Sequence, residues 1–184
     1  MEGRNTMYRN LTLALLVPLM ALIAACSNNN NQKNNDARRA AFIQVNKMLD
    51  SGNVDSLGNY IKEDAVDHQA EAMGETQQGL AGIKELFTKL HQVYPDMHTT
   101  IHSMAFSGDT MFAWVSSTGT LAQPFMGMPA GQTQTVSNVD VIRFDGDKMA
   151  EHWGFTDMSE MMKMQQQDTT MNKMGPDSTG NMVK

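Results

Sequence analysis

The stretch QTVSNVDVIRFDGDKMAEHWGFT, residues 134–156, contains two alternating segments on either side of an Asp-Gly pair. Apolar and polar residues alternate along both segments, which is typical of β-strands with one buried face. Asp145-Gly146 is a strong signal for the tight turn of a β-hairpin. The sequence therefore predicts two antiparallel strands, QTVSNVDVIRF and KMAEHWGFT, that are joined at this turn.

The same alternation continues upstream as far as residue 97. The segments MHTTIHSMAFSGD and TMFAWVSSTGTL predict two more strands, with a turn at Gly108-Asp109. Before Pro95 the apolar residues instead recur at helical spacing. They predict a helix that begins at a capping Asp36 with ARRAAFIQVNKML, a short second helix in VDSLGNYI, and a third in GLAGIKELFTKLHQVYP. Helices followed by antiparallel strands indicate one α+β domain over residues 36–164, with the helices on one face of the sheet.

The first 25 residues have the features of an export signal. Arg4 and Arg9 precede an apolar run, LTLALLVPLMALIAA, that is too short to span a bilayer comfortably as a helix. The one cysteine of the chain, Cys26, follows directly, and IAAC resembles the lipobox of bacterial lipoproteins. This resemblance implies cleavage before Cys26, acylation of that residue, and an exported protein held at a cell-envelope membrane by its lipid alone. The alternatives are an ordinary cleaved signal and a buried core cysteine.

The charge of the remaining chain excludes one class of partner. Residues 1–25 contain two arginines and one glutamate, so their removal leaves 12 basic and 19 acidic residues and a net charge of −7. Such a chain is not expected to bind nucleic acid or to dock electrostatically on anionic lipid.

Residues 26–35 are rich in asparagine and predict a tether. Residues 165–184 are polar with scattered methionines, and we expect them to be disordered.

The order of these elements resembles the SnoaL-like group of the NTF2-like superfamily, which includes polyketide cyclases and ester cyclases. The segments that carry the resemblance are AFIQVNKMLDSGNVDSLGNYIKEDAVDH, GIKELFTKLHQVYPDM, FSGDTMFAWVSSTGT, FMGMPAGQ and VIRFDGDKMAEHWGFTD. The resemblance implies a curved antiparallel sheet wrapped around the N-terminal helices and an enclosed, cone-shaped, mostly apolar pocket. It also implies a homodimer formed through the outer face of the sheet. The scaffold carries cyclases, isomerases, dehydratases and non-catalytic binders, so it does not define an activity.

Asp140 and His152 are the first candidates for catalysis. Asp140 lies in an apolar row of its strand, where a carboxylate is costly unless it is paired or faces a cavity. A two-residue turn would place Asp140 opposite Glu151, whereas a three-residue connection would place it opposite His152, the more favourable pair. We therefore predict an Asp140–His152 pair in the pocket, with Asn138 one step deeper and Glu151 and Trp153 on the outer face, the side of the strand on which Met149 also lies. Such a pair can exchange a proton near neutral pH, or it can be a purely structural ion pair.

Other residues are assigned to the pocket mainly by the resemblance. It places the segment EDAVDH at the pocket mouth, where His68 matches a frequent histidine and would be a third catalytic candidate. A local cap, a surface histidine or a metal site formed with Asp64 and Asp67 are the alternatives for His68. The predicted apolar lining comprises Phe42, Trp114, Met126 and Met128. No nucleotide-binding loop, nucleophile motif or metal signature is present, so no cofactor and no metal are expected.

The sequence departs from the antibiotic-type polyketide cyclases of this group at two positions. Gly154 aligns with an acid of those enzymes, and Leu121 aligns with a common histidine.

Three functions stay open at this point. In the first, the chain is a cofactor-independent enzyme that performs acid–base chemistry of the cyclase, isomerase or hydrolase type on a small apolar carbonyl compound. Alternatively it is a lipid-anchored module that binds a hydrophobic ligand unchanged, or an interaction protein that acts through its sheet face or its Met-containing tail.

Overall fold

The computed structural model describes residues 32–72, 77–125, 127–157 and 159. Helix α1 covers residues 32–51 and is followed by a 3-10 turn at Leu57–Asn59 and strand β1 at Ile61–Asp67. Helices α2 (His68–Ala72) and α3 (Gly79–Val93) come next. The remaining strands are β2 (His98–Ser107), β3 (Thr110–Thr120), β4 (Thr133–Asp145) and β5 (Lys148–Asp157). The predicted signal, Cys26, Met126 and the tail over 165–184 lie outside the described residues.

The five strands form one curved sheet in the order β1-β5-β4-β3-β2. Strand β1 pairs in parallel with β5, and the other three pairings are antiparallel. The predicted α+β class and the antiparallel pairing of the four predicted strands are confirmed. None of the described helices has the length and apolar character needed to cross a membrane.

Strand β1 is the element that the sequence analysis missed. The predicted second helix is only the 3-10 turn, and Ile61, assigned to that helix, is the first residue of β1. Charged residues at 62–64 interrupt the alternation of this strand, and its register shifts between Ile61 and Val66. Its partner β5 is distant in sequence, so no local pattern reports the pairing.

Helix α1 also differs from its prediction at its start. Residues 32–35, assigned to the tether, are already helical, so the predicted start at Asp36 is wrong. The carboxylate of Asp36 is not a cap. Its Oδ1 accepts a hydrogen bond at 3.3 Å from Nε2 of Gln32, one turn earlier in the same helix.

The core lies between the helices and the inner face of the sheet. Its buried members include Phe42 and Val45 of α1, Ile83 of α3, and Ile142 and Phe144 of β4. A smaller cluster of Val93, Leu121 and Met128 packs at the end of α3. Between these groups the helices and the sheet do not close completely, which leaves the cavity described next.

Candidate active site

A cavity of about 490 Å³ opens between α1, α3 and the inner face of the sheet. This volume lies in the range of small-molecule sites, and most of the wall is apolar. The apolar wall includes Phe42, Val45, Leu86, Phe87, Val115 and Ile142. One group of polar side chains in the wall lies where β4, β5 and the start of α2 meet: Asp67, Gln69, Asn138, Asp140, His152 and Thr156. Other polar residues of the wall are Asn46, Tyr94, Ser117, Thr118 and Gln134. The arrangement suits a mainly apolar ligand with a polar group where β4, β5 and α2 meet.

The imidazole of His152 lies between two carboxylates. Its Nδ1 is 3.2 Å from Oδ1 of Asp67, and its Nε2 is 3.5 Å from Oδ1 of Asp140. The three side chains are largely buried, with exposed fractions of 27% for His152, 9% for Asp67 and 12% for Asp140. We refer to these three residues as the Asp–His–Asp cluster.

Asp67 is fixed by the local structure. It is the last residue of β1, and its Oδ1 accepts the backbone N–H groups of Gln69 and Ala70, each at 3.0 Å. These bonds cap the first turn of α2 in the usual way for an aspartate before a helix. Burial would raise the pKa of Asp67, but its contact with His152, the charge of His152 and the two backbone N–H groups together lower the pKa. Asp67 is therefore an ionised, immobilised partner of Nδ1.

The two carboxylates determine the protonation state of His152. Burial alone would lower the pKa of His152, but its contacts with Asp140 and Asp67 and their negative charges outweigh burial and raise the pKa to about 9. At neutral pH the ring is therefore an imidazolium that donates from both nitrogens. The 3.5 Å contact to Asp140 is longer than an ordinary hydrogen bond, so the Nε2 proton is the one a ligand can share.

Asp140 and His152 meet, but not through the predicted register. Asp140 is opposite Gly154, and His152 is opposite Ile142. The carboxylate of Asp140 instead reaches diagonally to the imidazole two residues along β5. Diagonal neighbours on one face of a sheet are within reach of such side chains.

The predicted three-residue connection is wrong. Asp145 pairs with Lys148, so the turn has only two residues, and an irregularity between Arg143 and Phe144 of β4 shifts the register of β5 by one. The extra residue of β5 is Ala150, since its neighbours pair with these two positions of β4. This shift brings Met149, predicted on the outer face, into the cavity wall with His152.

Phe42 and Asn138 line the cavity, but three of the other predicted pocket residues do not. Trp114 was wrongly assigned, because Ala113 and Val115 face inward and Trp114 therefore faces outward, with 51% of its surface exposed. Its indole N–H donates to Oγ of Ser137 at 3.0 Å.

His68 and Met128 are the other two corrections. His68 stacks on Trp153 at 4.6 Å outside the cavity, with its Nε2 3.6 Å from Oε2 of Glu151. Because β1 ends in the cavity at Asp67, the next residue along the chain points away from it. Met128 is buried beside Val93 and Leu121, where its sulfur accepts from the Gln134 amide.

The alternative metal set of Asp64, Asp67 and His68 is not assembled. The side chain of Asp64 is 82% exposed and lies 4.0 Å from Nζ of Lys62, whereas Asp67 faces the cavity and His68 faces away from it.

Two residues of the site were missed from the sequence: Asp67, as the partner of His152, and Gln69. The signal available for Asp67 was its position directly before a helix, which is typical of a capping aspartate.

Comparison with known proteins places this architecture in a family. The family model for SnoaL-like polyketide cyclase matches residues 40–166, and no curated protein matches the chain. Similar solved structures include TsrD from Streptomyces laurentii, with TM-score 0.62 and 16% identity over 70% of this chain and 93% of that chain. A putative polyketide cyclase from Acidithiobacillus ferrooxidans has TM-score 0.60 and 24% identity over 71% and 95% of the two chains. IdmH, a putative polyketide cyclase from Streptomyces antibioticus, has TM-score 0.59 and 22% identity over 70% and 98%. The protein belongs to the SnoaL-like polyketide cyclase family.

Proposed function

We propose that the protein is an acid–base enzyme of the cyclase or isomerase type that needs no cofactor and acts next to a carbonyl group of a small, mainly apolar substrate. The observation that carries the proposal is the position of His152 between Asp67 and Asp140 in the wall of an apolar cavity. Asp140 is the proposed base, His152 the proposed acid, and Asp67 the residue that positions and charges His152.

The cluster supports a specific division of labour. Asp140 takes a proton from the carbon next to the substrate carbonyl, and the C–H electron pair forms the C=C bond of an enolate. The Nε2–H of His152 donates to the carbonyl oxygen as negative charge develops there. A raised pKa suits His152 to this role, because the ring carries its proton at neutral pH. The resulting enolate can be protonated at another atom or can attack a second carbonyl, which are the isomerase and cyclase outcomes.

The proposal is tested by two measurements on the purified chain. Native mass spectrometry shows whether a small molecule accompanies the protein and gives its mass. Solvent-deuterium exchange, followed by NMR, then measures removal of the α-protons of 1-tetralone, an apolar ketone of suitable size. Faster exchange with the protein than with buffer supports the proposal, and exchange at the buffer rate for 1-tetralone and for any captured ketone contradicts it.

The charges around the cavity predict a preference for uncharged ligands. Asp67 and Asp140 face the single imidazolium of His152, Glu151 in the same wall is already paired with Arg143, and no lysine or arginine of the described residues lines the cavity. A ligand carboxylate would face this negative surplus without a cation of its own. We expect methyl 2-naphthoate to bind at least tenfold more tightly than 2-naphthoate at pH 7, measured by titration calorimetry. 2-Naphthamide is the neutral control and should resemble the ester, and equal binding of ester and acid would contradict the prediction.

A binding module without chemistry is the second candidate function. The observation that favours it is the apolar wall of the cavity, together with a glycine at position 154, where the resemblance implies an acid. In this case the Asp–His–Asp cluster only orients the ligand. Tight binding of 1-tetralone with no deuterium exchange would select this function over the enzyme.

We also propose that the protein is exported and anchored through acylated Cys26, on the strength of its signal-like N-terminus. Loss of membrane fractionation and of labelled palmitate in Cys26→Ser would support this, and unchanged behaviour would contradict it.

A homodimer through the outer sheet face is proposed from the exposed Phe112, Trp114, Val139 and Phe155. Analytical ultracentrifugation should show dimers that Phe155→Lys dissociates, and a monomeric parent chain would contradict the proposal.

A further inference from the structure

Gly154 is the point where a polar side chain lies directly against the backbone of the cavity wall. A Cβ atom at this position would be 2.1 Å from Oε1 and 2.3 Å from Cδ of Gln69. These separations are far below any real carbon contact, so a side chain at position 154 would displace the amide of Gln69 from this place. Gly154 is also the residue opposite Asp140 and stands two positions from His152 on β5. The space that a side chain at 154 would fill, beside the Asp–His–Asp cluster, is filled by Gln69 instead.

Gln69 is held at both ends. Its side-chain Nε2 donates to Oγ1 of Thr156 at 3.2 Å. Thr156 is the next residue of β5 that faces the same side of the sheet as Gly154. Its backbone N–H donates at 3.0 Å to Oδ1 of Asp67, the oxygen that also contacts Nδ1 of His152. The amide is thus tied to the same elements that position the cluster, and its placement follows theirs.

The amide of Gln69 retains hydrogen-bonding capacity toward the cavity. A primary amide has two N–H donors and an oxygen with two lone pairs. Thr156 uses one N–H, and within the described part of the chain the amide makes no other hydrogen bond. Gln69 lines the cavity and its oxygen lies against Gly154, so the second N–H is the group available to a ligand. A neutral amide also leaves the imidazolium balanced by its two carboxylates, whereas an acid here would add a third.

We propose that Gln69 is a specificity-determining residue that hydrogen-bonds the oxygen of the ligand beside His152, and that Gly154 is required to admit its amide. The inference rests on the proposed function, since it assigns to the same site a second donor for the ligand carbonyl. If Gln69 only filled space, an apolar side chain of similar volume would support ligand binding equally well. A variant that keeps the volume and removes the amide therefore separates the two roles.

The test compares two ligands of the same skeleton, 1-tetralone and tetralin, which differ by one carbonyl oxygen. Their dissociation constants are measured by NMR titration with the full-length chain in mild detergent, for the parent and for Gln69→Met, Gly154→Ala and the double variant. Methionine matches glutamine in length but cannot donate to the ligand. Gly154→Ala keeps every polar atom and displaces only the flexible end of Gln69. The readout is the carbonyl preference, defined as the ratio of the tetralin and 1-tetralone dissociation constants.

The carbonyl preference should fall by about 2- to 13-fold in each single variant, the loss expected for one hydrogen bond. The double variant should lose no more than either single variant, because both changes remove the same contact. An unchanged preference in Gln69→Met, or losses that multiply in the double variant, would overturn the proposal. Deuterium exchange is recorded separately. A lost carbonyl preference together with exchange that survives Asp140→Asn would contradict the proposed function and leave the role of Gln69 standing.

Discussion

Asp140→Asn is expected to slow deuterium exchange from 1-tetralone by about 10²- to 10⁴-fold, the contribution of a positioned general base. Asparagine has nearly the same shape as aspartate but cannot accept the α-proton. The pKa of His152 should fall when this carboxylate partner is lost, but the fold should persist, because among the described residues no backbone N–H depends on Asp140 as those of Gln69 and Ala70 depend on Asp67. Binding of 1-tetralone should change by less than tenfold, so the loss should appear in the rate at saturating ketone.

The matched control for this experiment is Asp64→Asn. It makes the same chemical change in β1 on a side chain that is 82% exposed and outside the cavity, so its exchange rate should equal that of the parent. Urea unfolding of both variants shows that any loss of rate is not a loss of folded protein. If Asp140→Asn exchanges as fast as the parent, Asp140 is not the base, and the binding-module function gains support.

The fold could be predicted from the sequence because its main signals are local. The hairpin of β4 and β5 has strong alternation and a glycine at the turn, and α3 has an apolar stripe that ends just before Pro95. Strand β1 has neither signal. It carries three charged residues in a row and is stabilised by parallel pairing with a strand about 85 residues later, which single-sequence patterns do not report.

The candidate site was predicted only in part, for a different physical reason. The pairing of Asp140 with His152 was inferred from charge, and the two residues do meet, although the register used to derive the pairing was wrong. The turn is one residue shorter than predicted and the extra residue sits within β5. A bulge reverses which side chains face inward, so alternation counted from the turn misplaced Met149. Trp114 stands in an unbroken apolar run over residues 111–115, so alternation could not show which face of the strand it occupies.

Asp67 illustrates what sequence reasoning could not reach. Its role depends on β1 lying beside β5, where Asp67 is directly paired with His152. The sequence offered Asp67 and His68 as neighbours and gave no means of deciding which of them faces the cavity. The parallel pairing decides it in favour of the aspartate.

Asp67→Asn is expected to have the largest effect on stability and on the pH dependence. Asparagine is as good a helix cap as aspartate, so the hydrogen bonds from Gln69 and Ala70 can persist, and the substitution removes mainly the charge beside His152. Without that charge the buried imidazolium has one carboxylate partner instead of two. The pKa of His152 should therefore fall from about 9 toward its ordinary value of 6.5.

The direction of the pH effect follows from the two pKa shifts of the parent. The raised pKa of His152 contributes stability that is complete below pH 6.5 and is lost as the pH rises through about 9. The lowered pKa of Asp67 contributes stability above its ordinary value of 3.8, and this is lost as the pH falls through the lower value in the folded protein. The free energy of unfolding of the parent should exceed that of Asp67→Asn by about 2–3 kcal/mol between about pH 4 and pH 6.5, and the difference should shrink toward pH 9.

Urea unfolding at a series of pH values measures this difference, and NMR titration of the His152 ring measures its pKa directly. The pH above which deuterium exchange slows should fall together with the pKa of His152 in Asp67→Asn, because the proposed acid must be protonated to act. Asp50→Asn is the matched control, since Asp50 lies 3.7 Å from an exposed histidine, His98, far from the cluster in sequence. A stability difference that is constant from pH 5 to pH 9, or a pKa of His152 that stays near 9 in Asp67→Asn, would show that Asp67 acts on the fold and not on the charge of the imidazole.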